Sequence, residues 1–279
     1  MIAYELVAEY LPRMEAAGVP EARVKLEWLV SEVLGVGREA LETIEADPSA
    51  RPLILKGVLR LERHEPLQYV IGHAPFLNFS LTTDARALIP RPETEELAMR
   101  VLRCGALWSR GVVTIADVGT GTGCLAIAIA LKHPGARILA TDISAEALKL
   151  ARTNAEANGV RERIAFRLCD GLEGIHAGSL DAVVSNPPYI ASDVITTLDV
   201  SVREFEPVAA LDGGCDGLDI VRRLIPAAQV ALKPDGKIFM EIGEEQGDAV
   251  RGLMVAAPFR DVDVAVDMYG QVRFVEGTK

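Results

Sequence analysis

TIADVGTGTGCLAIAIAL, residues 114–131, reads as a strand, a turn built on alternating glycines, and a helix. Gly119, Gly121 and Gly123 let the backbone turn tightly and bring a ligand against main-chain atoms, where a side chain would block it. The predicted helix over Thr122–Lys132 aims its first amide N–H groups, with their partial positive charge, at whatever occupies the turn. A dinucleotide fingerprint places its third glycine three positions after the second. Here that position is Cys124, which argues against a nicotinamide cofactor. The five-residue stretch Gly119, Thr120, Gly121, Thr122 and Gly123 is therefore a candidate binding loop for another nucleoside.

Outward from this loop, strands and helices alternate. Strands are predicted at Val113–Val118, Arg137–Thr141, Ile164–Leu168, Leu180–Ser185, Lys237–Ile242, Val262–Val266 and Val272–Glu276. Helices are predicted at Ala145–Asn158 and Ile220–Leu232. That alternation implies an α/β domain with a mainly parallel sheet covered on both faces. Only DMYGQ separates the last two strands, so an antiparallel pair is expected at the C-terminal edge. In open sheets of this kind ligands bind at the carboxyl ends of the strands. Asp142 ends the second strand, where its carboxylate can accept from both ribose hydroxyls, while Ser144 is the better helix cap. Asp170 and Gly171 end the third, near where an adenine would lie. No second phosphate loop and no P-loop lysine follow, so a nucleoside without phosphates fits best, and S-adenosylmethionine is the common one.

The fourth strand ends in SNPPYI, residues 185–190. A residue before proline is held extended, and proline has a fixed φ and no N–H. Asn186, Pro187 and Pro188 thus form a stiff corner rich in acceptors. The Asn186 side-chain oxygen and the Pro187 carbonyl can grip one planar –NH2 group, and Tyr189 can cover it. An NPPY turn can also be a mere strand terminator. Following a glycine loop and Asp142 in this order, it reads as the place where a methyl group is delivered to a flat amino nitrogen.

The first 71 residues are predicted helical. Ala22, Leu26, Leu29, Val30, Val33 and Leu34 recur as one apolar stripe, with Pro20 before it and Gly35 and Gly37 after it. A further helix is predicted near Leu53–Arg63. Residues 72–92 form a linker, in which Phe76, Asn78 and Ser80 alternate with Leu77, Phe79 and Leu81 as a hairpin or extended segment. Pro90 and Pro92 stiffen its end, and Glu93 to Glu96 suit a helix N-terminus. Residues 93–279 form the second domain. The net charge of −11 disfavours broad contact with nucleic acid. Four scattered cysteines and four scattered histidines suggest neither a disulfide framework nor a metal site. The N-terminus lacks the basic and apolar pattern of a signal peptide, and no apolar run approaches the ~20 residues of a membrane span. A cytoplasmic monomer is expected.

At this point the chain resembles the release-factor glutamine methyltransferases. The resemblance rests on EPLQYVIG (65–72), LIPRPETEEL (88–97), DVGTGTGCLAIAIA (117–130), TDISAEALKLARTNA (141–155) and SNPPYI (185–190). It continues through VREFEPVAALDGGCDGLDIVRRLI (202–225) and MEIGEEQGDAV (240–250). It implies a seven-stranded, Rossmann-like methyltransferase domain behind a helical domain that helps grip the substrate. It also implies methylation of the glutamine side-chain amide in the Gly-Gly-Gln motif of class 1 peptide chain release factors. Carried over by position, Gly119–Gly123, Asp142, Asp170, Gly171 and Asn186 would contact S-adenosylmethionine, and Asn186–Tyr189 would hold the glutamine. Asn78 and Gly171 depart from the family's pattern. The rival reading is a DNA or RNA base amino-methyltransferase using the same corner on a flipped base. Such an enzyme needs a cationic groove, and the segment from NPPY to Pro226 carries more acids than arginines. A nicotinamide oxidoreductase and a non-catalytic adaptor are weaker alternatives.

Overall fold

A computed structural model describes residues 2–279. The chain divides into two compact units, one comprising the chain up to His73 together with Asp199–Phe205, the other Ala74–Leu198 with Glu206–Lys279.

The first unit holds helices α1 (Ala3–Ala16), α2 (Ala22–Leu34), α3 (Arg51–Leu61) and α4 (Leu67–Ile71). Its core is built from Leu6, Val7, Met14, Leu26, Leu29, Val30, Leu41, Ile54, Val58 and Leu61. Of the predicted stripe on α2, Val33 and Leu34 are only half-buried. Gly35 ends that helix in the left-handed region, at φ 67, with its N–H turned back to Ser31 and Glu32 carbonyls. Gly57 on α3 faces Leu29: an added Cβ would stand 2.5 Å from the leucine's Cδ1, so a glycine there permits close helix contact.

A two-stranded hairpin follows, β1 (His73–Phe76) and β2 (Phe79–Thr82), all but its first residue counted with the second unit. The alternation expected across 76–81 is interrupted, because Leu77 and Asn78 form the turn and shift the phase of burial. Phe76 and Leu81, assigned to opposite faces, are both fully buried. Leu77 takes φ 50, and its N–H donates to Glu95 at 2.8 Å. Then come α5 (Pro92–Arg103) and α6 (Gly105–Trp108). The α/β alternation that follows is β3 (Thr114–Val118), α7 (Cys124–Lys132), β4 (Arg137–Asp142), α8 (Ala145–Ala157), β5 (Ile164–Leu168) and β6 (Leu180–Ser185). Helix α9 (Val200–Arg203) lies in the segment counted with the first unit. The chain finishes with α10 (Asp219–Ala231), β7 (Leu232–Glu241), α11 (Gly247–Ala256), β8 (Arg260–Val266) and β9 (Val272–Thr278). Strand β7 starts five residues before the predicted Lys237, in an irregular stretch whose pairing with β6 shifts register.

The large sheet has seven strands in the order β5-β4-β3-β6-β7-β9-β8. Pairings from β5 to β7 are parallel, and β9 runs antiparallel to both neighbours. It is therefore the seven-stranded α/β sheet that the sequence implied. Period-two geometry divides side chains between two cores. Ile115, Ala182, Val184 and Phe239 join α5 and α7 on one face; Ala116, Val183, Ile238 and Met240 join α10 and α11 on the other. Helix α7 is buried at seven of its nine residues, which explains its apolarity on all sides. The strand order reverses between β3 and β6. Such a reversal opens a crevice at the carboxyl ends, because the connections on either side lead the chain away in opposite directions.

Candidate functional site

The crevice between β3 and β6 brings the two sequence motifs together. Val118 and Ser185 are register partners at the ends of these strands, and the Ser185 hydroxyl donates to the Val118 carbonyl at 2.7 Å. A cavity of about 650 Å³ opens above them, within the size range of small-molecule sites. Gly119, Thr120, Gly121, Thr122, Asp142, Asp170, Gly171, Asn186, Pro187 and Pro188 all line it, whereas Gly123 and Tyr189 stand outside its lining.

The glycine loop is a cradle in the physical sense. Gly119 adopts φ 71, and the space where a Cβ would project is open. Any side chain there would enter the cavity while straining the backbone. Gly123 differs. It precedes α7 at φ 85, and a Cβ would crowd Ala151 and Ile127 at 3.2 and 3.3 Å, so its task is packing. Asp142 accepts from the Gly121 N–H at 3.0 Å and the Ser144 N–H at 2.8 Å. Each carboxylate oxygen keeps a lone pair for a ligand hydroxyl. Ser144 caps α8 by accepting from the Ala147 N–H at 3.1 Å. Asp170 pairs with Arg223 across the cavity wall, and the Thr141 hydroxyl holds the Gly171 carbonyl at 2.9 Å.

Beneath the loop lies a carboxylate that motif reading passed over. Asp117 is fully buried and accepts from the Thr120 hydroxyl at 2.6 Å and the Ala126 N–H at 3.1 Å. Burial pushes its carboxyl up to about 6. It ties the turn to the N-terminal end of α7, whose dipole favours an anion there.

At the corner, the Asn186 amide nitrogen donates to the Thr94 hydroxyl oxygen at 2.9 Å, and Thr94 donates to Glu241 at 2.8 Å. The Tyr189 hydroxyl donates to the other oxygen of Glu241 at 3.2 Å. Burial pushes the phenol of Tyr189 upward, with the Glu241 carboxylate adding to the effect, so the hydroxyl stays protonated. The Arg273 guanidinium lies 5.8 Å from the Tyr189 ring centroid. No internal donor among the described residues reaches Asn186 Oδ1 or the Pro187 carbonyl. Both acceptors the sequence singled out remain available.

The corner's far side is clamped by the loop after α9. Ile190 and Leu211–Gly213 exchange backbone hydrogen bonds, and Gln246 donates to the carbonyls of Tyr189 at 2.9 Å and Gly217 at 3.2 Å. Glu206, its side chain almost wholly buried, accepts from the Ile89 N–H and pairs with Arg91. It thereby ties segment 88–91 to the loop whose Pro207 and Ala210 line the cavity. Gly217 sits at φ 75, where a Cβ would stand 2.2 Å from the Tyr189 carbonyl oxygen. Gly217→Ala is expected to cost about 2 kcal/mol of stability through backbone strain and to displace the corner. Turnover should fall while donor affinity holds. A thermal melt with a turnover assay checks this, and an unshifted melt with full turnover would contradict it.

Thr94, Asp117, Glu206 and Glu241 are the residues the sequence reading left without a role. Glu241 had a signal: a lone carboxylate inside the apolar run IFMEI, at a strand's carboxyl end. Thr94 had none, because it touches Asn186 only through folding across 92 residues of chain.

Two families match the chain: the PrmC N-terminal domain over residues 5–72 and the methyltransferase small domain over residues 106–205. Among curated relatives, the release factor glutamine methyltransferase of Geobacter sulfurreducens is 37% identical over 266 residues, covering 93% of this chain and 90% of that one. That of Moorella thermoacetica is 37% identical over 277 residues, covering 98% and 97%. That of Chlorobaculum tepidum is 39% identical, covering 89% and 87%. Among solved structures, the hMettl16 catalytic domain in complex with MAT2A 3'UTR hairpin 6 aligns with a TM-score of 0.56 at 15% identity, covering 83% of this chain and 82% of that one. A methyltransferase from Pyrococcus furiosus aligns at 0.52 with 17% identity, covering 71% and 88%. These two likenesses are of fold alone.

Proposed function

The chain belongs to the release factor glutamine methyltransferase family, and from that premise we propose which of its residues carry the reaction. The enzyme transfers a methyl group from S-adenosylmethionine to the side-chain amide nitrogen of a glutamine in peptide chain release factors, the glutamine of the Gly-Gly-Gln motif.

The cavity suits the donor. The open space beside Gly119 accepts a ligand against the backbone, Asp142 offers acceptors to a ribose, and the Asp170–Gly171 corner supplies one wall for the adenine. When bound, S-adenosylmethionine supplies an electrophilic methyl carbon on a positively charged sulfur. Gly119–Thr122 and Asp142 hold the nucleoside, and Asn186 stands where nucleoside and glutamine meet.

The observation that carries the reading of the corner is the pair of unoccupied acceptors, Asn186 Oδ1 and the Pro187 carbonyl, on the cavity rim beside the glycine loop. A carboxamide nitrogen is planar because its lone pair is delocalised, as in the peptide bond. Two acceptors gripping its two hydrogens favour pyramidalisation and free the lone pair for attack. They also stabilise the positive charge that grows on nitrogen as the N–C bond forms and the C–S bond breaks. Hydrogen bonds placed for a transition state are worth ~3–4 kcal/mol each. The charged nitrogen then loses a proton to solvent, so no strong base is required. Pro188 stiffens the corner, and Tyr189, next in the chain, has its hydroxyl fixed by Glu241.

The helical unit is the natural grip for the body of the release factor. A cytoplasmic monomer with no direct nucleic-acid or membrane partner fits the net charge of −11 and a substrate drawn from translation termination. Among the described residues no helix is long and apolar enough to cross a membrane. The deciding experiment supplies labelled donor with release factor, with the same factor carrying Gln→Ala in its Gly-Gly-Gln motif, and with duplex DNA. Label is expected in the first alone. Label in DNA with none in protein would overturn the assignment.

A further inference from the structure

We propose that Thr94 and Glu241 form a polarity relay that fixes the orientation of the Asn186 carboxamide, so that its oxygen faces the substrate nitrogen. The proposal rests on the reading that Asn186 grips the glutamine amide, and it names the positioning residues that make the grip work.

A carboxamide has two ends of nearly equal size, one an acceptor and one a double donor. Turned by half a rotation, Asn186 would present –NH2 to the substrate's –NH2, and the grip would become a donor–donor clash. Neither Pro187 nor the backbone corner distinguishes the two orientations. The distinction originates at Glu241, on the last position of β7, with only 1% of its surface exposed. As a carboxylate it can only accept. Thr94 has one hydroxyl proton and gives it to Glu241. The Thr94 oxygen is left with acceptor capacity alone, so only the amide nitrogen of Asn186 can meet it. Asn186 Oδ1 is thereby turned to the other side. The second Glu241 oxygen takes the Tyr189 hydroxyl, so one buried carboxylate orders both ends of the NPPY corner.

Glu241 is an expensive choice for a structural role. Among the described residues no cation bonds it directly. Arg273, whose charge acts on it, donates to the Ile242 carbonyl and leans toward Asp267. Burial is the main reason the Glu241 carboxyl is pushed up to about 7; Arg273 on β9 and the hydroxyls of Thr94 and Tyr189 oppose the rise, and Glu93 on α5 adds to it. Cys124 on α7, also near, is a neutral thiol pushed by burial up to about 12. When Glu241 takes a proton it gains a donor and can give it to Thr94. Thr94 is then free to donate to Asn186, and the carboxamide loses its fixed sense. The relay is therefore set above about pH 7 and relaxes below it.

The test compares Thr94→Val, Thr94→Ser and Glu241→Gln with the parent enzyme and with Asn186→Ala. For each, kcat and KM for release factor are measured across pH, donor affinity by calorimetry, and melting at pH 8. Thr94→Val keeps the shape and removes the hydroxyl, and kcat is expected to fall about 100-fold with donor affinity little changed. Thr94→Ser, which restores the hydroxyl, should recover most of that loss. Glu241→Gln should lower kcat and erase the fall in kcat/KM below about pH 7, while the melt at pH 8 does not drop, since an ionised buried carboxylate has been removed. Parent-level kcat in Thr94→Val beside an inactive Asn186→Ala would overturn the relay and leave the grip intact. A loss in donor affinity as large as the loss in kcat would overturn it too, making Thr94 a wall of the donor site. Failure of Thr94→Ser to recover would reduce the position to packing. An active Asn186→Ala would overturn the underlying reading of the corner.

Discussion

Asn186→Ala is expected to leave a folded protein that transfers methyl groups about 10³-fold more slowly, the upper end of what one transition-state hydrogen bond contributes. The residue is half-buried on a cavity rim, and Thr94 keeps its bond to Glu241 when Asn186 is gone, so no buried group is orphaned by the change. What disappears is one of the two acceptors proposed to grip the substrate nitrogen. The Pro187 carbonyl alone can hold one hydrogen of the amide, but it leaves the other free and the nitrogen flat. The effect should fall on kcat, because a planar ground-state amide can still sit against Pro187 and Pro188. Single-turnover measurements with saturating donor check this. Near-parental turnover in a well-folded variant would remove the two-acceptor account.

Asp142→Ala is expected to weaken S-adenosylmethionine binding about 100-fold, with a stability loss of only ~1 kcal/mol. Hydrogen bonds to a charged acceptor contribute ~1.5–3 kcal/mol, and those proposed from two ribose hydroxyls would be lost. The same carboxylate accepts from the N–H groups of Gly121 and Ser144, so its removal also loosens the glycine loop. Both effects act on the donor. Stability suffers less because Ser144, not Asp142, supplies the side-chain cap of α8, and loss of a local turn contact of this kind costs ~1 kcal/mol. Calorimetric titration with the donor beside a thermal melt separates the two. Unchanged affinity would remove Asp142 from the ribose.

Several elements were legible because their signals are local. The strand–turn–helix around Gly119–Gly123 follows from burial pattern and glycine spacing within 18 residues. Gly35, Pro92 and Ser144 mark helix ends by chemistry that acts within one turn. The alternation over 76–81 allows either a hairpin or an extended segment, and it assigns the faces of the hairpin at 73–82 wrongly. Strict alternation cannot see a two-residue turn that resets the phase, and Leu77 carries none of the glycine or asparagine signal that a left-handed turn position favours. The early start of β7 is hidden for a similar reason: a Pro-Asp-Gly sequence reads as a turn, and here it forms the irregular stretch between Leu232 and Lys237, which both pair with β6.

The sequence by itself determined the fold class, the glycine cradle and the presence of a rigid acceptor corner, since each depends on backbone preferences of residues close together in the chain. The tertiary structure decided how that corner is aimed. Thr94 follows a proline linker, Asn186 follows β6 and Glu241 ends β7, and only the order of strands in the sheet brings the three into one hydrogen-bonded chain. The direction of a hydrogen bond depends on what each partner's other side is already bonded to, and that is a property of neighbours in space.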